Sequence, residues 1–459
     1  MSMQLSRPSS LFRQLPLGLV LSLAFAGASQ AQSLVNLYDL AKGYDASYQS
    51  AKSQYEANLA KADQGKAQLL PQIALTGGAT RNQLEGYSSP TVAAYTQDRT
   101  FTTQSGGLNA TQPLYRPANL ATYRQSQKGL DLAQAALTQA EQDLIVRVSQ
   151  AYFDALASQD SLTFVQAQKK AVAEQLASAK RNFEVGTATI TDTREAQARY
   201  DLVIAQEIAA DNDVRVKKVA LELLVGKGDL SPLRIKPNAA LPAVDGQSVD
   251  GWIAQSEQAH PSILLARANL DIAKLESEKA MAGHKPTVDM TLGYNVQKNL
   301  NGTTIGALAG GVNYTQTTVK SAGITATLPL FAGTATQNRL RETVALEEKA
   351  RMDLEGAQRQ VAQATRTAFL GLQSGLGQVK AYEAAEASSQ VALDANKLGY
   401  QVGVRINIDV LNSQSQLYQT KRDLAKARYD VLVGQLKLRQ AAGVLKADDM
   451  ANINALLAP

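Results

Sequence analysis

From Val288 the chain alternates with a period of two. Val288, Met290, Leu292, Tyr294 and Val296 are apolar, and Asp289, Thr291, Gly293, Asn295 and Gln297 fall between them. That pattern predicts a strand with one greasy and one wet face. Ile73, Leu75 and Ala79 alternate in the same way with Gln72, Thr76 and Thr80. Return strands are expected to end at Pro113 and Pro329, where Ile324, Ala326, Leu328 and Leu330 alternate with polar positions. The connections, about 84–98 and 298–314, are rich in Gly, Asn, Ser and Thr, as exposed strand tips are.

Elsewhere the period is helical. No proline lies between Pro117 and Pro232 or between Pro329 and Pro459, and both stretches favour Ala, Gln, Leu, Lys and Glu. Leu130, Leu137, Leu144, Ala151, Val165, Val172 and Ala179 keep a seven-residue spacing, broken at Ser158. Val148, Ala155, Leu162 and Leu176 form a second line, with Lys169 as its exception. A strict heptad is a coiled-coil seam with left-handed winding. The reading is a long helix over 117–184 that turns at Gly186 and returns over 190–225. The second half repeats it over 333–401 and 406–442, turning at Gly403. Each half is also expected to open with a single helix, 34–69 and 248–283.

The halves are copies of one plan. Leu70-Pro71-Gln72 recurs as Lys285-Pro286-Thr287, Gly107–Tyr115 as Gly323–Phe331, and Phe183-Glu184-Val185-Gly186 as Tyr400-Gln401-Val402-Gly403. Asp192 is matched by Asp409, and the offset stays at 215 to 217 residues throughout. The first repeat is placed at 32–240, with a β-hairpin at 72–113 and a helix hairpin at 117–225. The second is placed at 241–447, with a β-hairpin at 286–331 and a helix hairpin at 333–442. A C-terminal tail, 448–459, follows.

Residues 1–31 read as an export signal: basic Arg7 and Arg13, an apolar stretch from Leu15 to Ala28, then Ser29-Gln30-Ala31. No other stretch suits a transmembrane helix, which leaves a soluble, secreted or β-barrel protein. The chain of 459 residues has no cysteine and two histidines, His260 and His284. Disulfide scaffolds, thiol nucleophiles and cysteine metal sites are therefore excluded. A histidine metal site or Ser-His triad has little to build on, so an enzyme is not expected, and no cofactor. Net charge is +5 with the signs interspersed, and loss of Arg7 and Arg13 lowers it by two, which gives nucleic acid no support.

Four strands cannot close on themselves, and open edges are forbidden in lipid. If the strands span a membrane, several copies must pool them. Alternation alone fits a half-buried soluble sheet on a helical stalk equally well. The export signal and the strand length of about ten residues favour the membrane.

Specific motifs then accumulate: Leu69-Leu70-Pro71-Gln72, Ala151-Tyr152-Phe153, Gln166-Ala167-Gln168-Lys169, and Phe183-Glu184-Val185-Gly186 through Ala188-Thr189-Ile190-Thr191-Asp192. Ala198-Arg199-Tyr200-Asp201, Gly399-Tyr400-Gln401-Val402-Gly403, Asp409-Val410-Leu411 and Leu424–Tyr429 follow in order. With these the whole mature chain resembles the TolC family of outer-membrane channel-tunnels. The resemblance implies a mainly α fold with a transmembrane β part. It implies a homotrimer whose 12-stranded β-barrel, set in outer-membrane lipid of a Gram-negative cell, continues into a 12-helix tunnel across the periplasm. Parts of 226–247 and the tail would belong to an equatorial collar. A periplasmic adaptor and an inner-membrane ABC or proton-driven pump would dock below, with the hairpin tips at Gly186 and Gly403 as the docking points. The function implied is a passive duct for type I protein secretion, multidrug efflux or both. The competing class is a periplasmic or secreted coiled-coil structural protein.

From the residues alone, Asp192 and Asp409 serve the first turns of the returning helices, worth about 0.3–1 kcal/mol each. The resemblance adds that Asp409 faces the pore, so that three copies form an acidic ring able to hold a divalent cation and select cations. The family prototype has a second aspartate where this chain has Asn412, which implies a weaker block. Closing links are implied from Tyr400 and Arg405 to Thr191 and Asp192, with Gln175 nearby. Lys397 stands where the prototype has Glu, so the resemblance does not carry that link over. For Arg405 the plain reading is a solvated turn residue. His260 and His284 have no ionisable cluster beside them, so a metal role is not expected. Trp252 is expected to pack an equatorial helix. Tyr87, Tyr95, Phe101 and Tyr314 flank the strands, either as an interfacial girdle or as ordinary loop packing.

Overall fold

The computed structural model describes residues 32–85, 99–236, 241, 248–300 and 314–458. The expected export signal, both strand connections with Tyr87 and Tyr95, and most of 237–247 lie outside the described residues, as does the Tyr314 side chain.

Helices dominate. The first half runs α1 (Leu34–Tyr44), α2 (Ala46–Ala67), β1 (Gln72–Leu84), β2 (Arg99–Tyr115), α3 (Pro117–Glu184) and α4 (Ile190–Val225). The second runs α5 (Val249–Ala259), α6 (Pro261–Met281), β3 (Thr287–Leu300), β4 (Tyr314–Thr327), α7 (Ala335–Gln401) and α8 (Asn407–Ala441), with α9 (Ala447–Asn454) closing the chain. The 68 residues of α3 extend about 100 Å.

Neither half opens with a single helix. The first breaks at Asp45, whose extended backbone ends α1 while its carboxylate accepts from the Tyr48 amide at 2.8 Å to cap α2. The second breaks at His260, because Pro261 disfavours helical backbone in the residue before it. His260 caps α6, its Nδ1 accepting from the Ser262 amide at 3.1 Å. β2 continues past Pro113 to Tyr115, and β1 has no partner residue beyond Thr111, so the missing proline donor is not needed on that side. β4 stops at Thr327, short of Pro329.

The four strands form one antiparallel sheet in the order β1-β2-β3-β4. Its register aligns Ile73, Ala110, Leu292 and Ala322 in one row, and Leu75, Leu108, Tyr294 and Lys320 in the next. Among the described residues nothing covers this apolar face: Leu75 is 83% exposed and Ile324 69%. The other face is polar, with Asn295 donating to Asn109 at 3.2 Å and Thr103 to Asn299 at 3.0 Å. Among the described residues β1 pairs only with β2 and β4 only with β3, so both edges are open.

The main core lies where α1, α9 and the segment at 230–235 wrap α3, α4 and α8. Leu34, Leu37, Leu144, Tyr152, Phe153, Leu156, Leu221, Leu432 and Met450 are buried there. Tyr152 donates to the Leu233 carbonyl at 3.0 Å, and Tyr429 donates to Asp160 at 2.6 Å. Trp252 is buried in a second cluster with Leu372, Val379 and Val431. The heptad exception Lys169 is satisfied by Glu207 at 2.6 Å.

Asp45 also ties α2 to α3. Arg147 donates to its two oxygens at 2.8 and 2.9 Å and holds the carboxyl below its ordinary range. A depressed carboxyl stabilises above its unfolded pKa of about 4, and this is lost as pH falls through the lower folded value. Asp45→Asn is therefore expected to cost about 1–2 kcal/mol near neutrality and to flatten the acid limb of thermal stability, read by unfolding midpoints across a pH series.

Candidate functional site

The two helix hairpins turn alike. Val185 caps the C-terminus of α3 and Val402 that of α7, each with φ −91°, followed by Gly186 and Gly403 with φ +77° and +81°. Thr187 donates to the Asn182 carbonyl at 2.8 Å, and Val404 to the Gly399 carbonyl at 2.9 Å, 217 residues on. A Cβ at either glycine would meet nothing within 4 Å, so glycine is required by the left-handed backbone alone.

The returning helices start differently. Thr189 caps α4: its hydroxyl accepts from the Asp192 amide at 3.2 Å, while Asp192 Oδ2 accepts from the Thr189 amide at 3.0 Å and its hydroxyl at 2.7 Å. This reciprocal box consumes the Asp192 carboxylate. The equivalent cap of α8 is Ile406, which has no hydroxyl and makes no side-chain cap. Asp409 is thus left uncapped, one-third exposed, with Arg405 Nη1 3.6 Å away one turn back.

Within one chain, Arg405 does not reach Thr191 or Asp192. It leans towards Asp409 on its own helix, and the Asp192 carboxylate is already occupied. Tyr400 accepts from Asn182 Nδ2 at 3.2 Å. Thr191 and Lys397 are exposed and make no side-chain hydrogen bond or ion pair among the described residues. Gln175 donates to Asn407 Oδ1 at 2.5 Å, and Asn407 Nδ2 donates to the Asp192 carbonyl at 3.1 Å. Asn407, fully buried, therefore links α3, α4 and α8. Asn412 accepts from Arg199 Nη2 at 2.8 Å. Among the described residues no group of three or more His, Asp or Glu side chains could hold a metal ion.

The motif reading does not include Asn407 or Asn182, and it contains Arg199 only within Ala198-Arg199-Tyr200-Asp201, with no role given to it. A signal existed in the repeat: at the same offset Asn407 replaces Ile190, and Asn182 answers to Gly399. A buried amide in place of an isoleucine marks a position whose partners lie outside its own hairpin.

A family profile described as outer membrane efflux protein matches residues 37–227 and 252–444. The chain is 32% identical to the outer membrane protein TolC of Vibrio cholerae over 432 residues, spanning 94% of this chain and 95% of that protein. It is 30% identical to the alkaline protease secretion protein AprF of Pseudomonas aeruginosa, over 93% of this chain and 87% of the other. The crystal structure of the outer membrane protein VceC of Vibrio cholerae superposes with a TM-score of 0.73 at 19% identity, covering 89% and 96% of the two chains.

Asn407→Ile is expected to destabilise the tips by about 1–3 kcal/mol, because Gln175 and the Asp192 carbonyl lose a buried partner. Faster amide exchange across 175–192 and 403–412, with the core unchanged, is the check.

Proposed function

The chain belongs to the outer membrane efflux protein family, and on that premise we propose that three copies pool their sheets into one closed barrel. The protein is an outer-membrane channel for efflux and type I secretion. The observation that supports the trimer is the bare sheet: among the described residues, an apolar face with Leu75 and Ile324 uncovered, and two edges without partners. Lipid satisfies the face, and edge-to-edge pairing of copies satisfies the backbone. The polar face, with Asn109, Asn295 and Thr103, then lines the water-filled side.

The four long helices α3, α4, α7 and α8 of each copy continue the wall into the periplasm, as two repeats of one unit. No step of chemistry belongs to the duct itself; an inner-membrane pump supplies energy, and an adaptor docks at the tips around Gly186 and Gly403. The tail after α8 serves the collar, where α9 packs Met450 and Ile453 into the main core.

At the tips, Asp409 forms the ring that favours cations and binds a divalent ion. Its freedom from capping supports this role, and the neutral Asn412 makes the block weaker than two acidic rings would. Arg405, with 59% of its side chain exposed, links to Thr191 and Asp192 of a neighbouring copy in the closed state, with Tyr400 and Gln175 beside it. An exposed pair of this kind contributes about 0–1 kcal/mol, which suits a gate that must open.

Purified trimers in planar bilayers test the reading. Asp409→Ala should abolish divalent block and reduce cation preference, read from reversal potentials. Arg405→Ser should raise the closed-state conductance; unaltered conductance would remove Arg405 from the gate. Recovery of a conducting single subunit would overturn the shared barrel.

A further inference from the structure

The two hairpins of the sheet are built in one register. Gln72 lies opposite Thr111 in the first, and their counterparts in the repeat, Thr287 and Thr327, lie opposite each other in the second. Between the hairpins β2 pairs with β3, which sets Thr111 against Thr291, Gln112 against Met290 and Tyr115 against Val288. Among the described residues that seam is where one repeat meets the other within the sheet.

The repeat also carries the two sides of a second such seam, unjoined. β2 runs on to Tyr115 with β3 beside it, whereas β4 stops at Thr327. The counterparts of Gln112–Tyr115, Leu328–Phe331, are left outside the sheet, with Leu330 90% and Phe331 83% exposed. At the opposite edge Ile73 and Leu75 of β1 are exposed too. These two sides cannot meet in one copy, because β1 and β4 lie three strand spacings, about 14 Å, apart.

We propose that the β4 edge of one copy receives β1 of the next in the register that β2 and β3 already use. The proposal rests on the shared barrel above and fixes how that barrel closes. Carried across by the repeat, Thr327 lies opposite Thr76 of the neighbouring copy, Leu328 opposite its Leu75, and Ile324 opposite its Ala79. The faces agree: Ile324 and Ala79 both fall on the apolar side, and a slip of one residue would turn Ile324 against the polar side. β4 then lengthens to Phe331 on assembly. One contact does not carry over. Arg116 and Asp289, which clamp the seam within the chain, are answered by Ala332 and Ala74 between copies. The joint between copies therefore rests on backbone pairing and apolar contact, without that ion pair.

The chain has no cysteine, so the register can be read from engineered pairs in the full-length protein. Thr76→Cys with Thr327→Cys should bridge neighbouring copies on oxidation and leave covalent trimers on non-reducing gels. Thr111→Cys with Thr291→Cys, the equivalent pair within one chain, is the positive control. Thr76→Cys with Thr325→Cys, displaced by two residues, should bridge several-fold more slowly, since opposed Cβ atoms lie ~5 Å apart and diagonal ones ~7–8 Å. Faster bridging by the displaced pair, or no bridge from either in a protein that still runs as a trimer, would overturn the register and leave the shared barrel standing. Monomers alone, with the control bridge formed, would remove the barrel as well. A gain-of-stability pair guards against misfolded variants: Ala332→Arg with Ala74→Asp should raise the trimer's dissociation temperature by more than the two single changes together. A merely additive effect would overturn the register.

Discussion

A β-strand in hydrocarbon cannot leave a backbone N–H or C=O unpaired, and among the described residues this chain ends its sheet with two strands that each lack a neighbour. Everything else is arranged around that deficit. The sheet is too narrow to bend into a closed wall by itself, and among the described residues its apolar rows have no helix laid over them. Its polar side is already organised by amide and hydroxyl pairs. Where the sheet meets the helices, Arg116 at the start of α3 donates to both oxygens of Asp289 on β3, at 2.7 and 2.6 Å. That fork joins the first repeat to the second, so the direction in which α3 leaves the sheet is tied to the strand of the other half.

Along the helices the packing chemistry changes. Around α1 and α9 the contact between α3 and α8 is aliphatic and aromatic: Phe153 meets Tyr429 across the two helices with centroids 5.7 Å apart, and Tyr152 meets Phe153 edge-on at 5.3 Å. Burial pushes the Tyr429 phenol far above its ordinary value, so it stays a donor to Asp160 throughout the working range. Towards the tips the same pair of helices meets through Gln168, Ser415, Gln175 and Asn407. Apolar burial is insensitive to small changes of partner, whereas buried amides hold one register and are lost together. Near the tips these amides therefore add a fixed register to the apolar packing of Val172, Leu176 and Leu411.

The elements that rely on local rules were legible in the amino-acid sequence. Pro117 opens α3 and the glycine turns close α3 and α7, because proline and left-handed backbone leave residue-level marks. The strand faces followed from alternation. The helix breaks at Asp45 and His260 were missed although both carried a sign, an aspartate able to cap and a residue before proline. At the tips, the acids could be located, but their partners could not. Whether a carboxylate is spent on a cap depends on the residue three positions earlier, threonine at 189 and isoleucine at 406. Arg199 and Asn412 lie on different hairpins, and no spacing rule connects them.

That single difference at the cap has a consequence for symmetry. With three chains, the periplasmic end would present six hairpin ends whose backbones are almost superimposable, each with a glycine in the same left-handed turn. Only three of them would carry a first-turn carboxylate left out of a helix cap. A docking protein that reads main-chain shape would find a sixfold platform, while an ion that reads charge would find a threefold one, so the same rim can be matched by partners of two different stoichiometries.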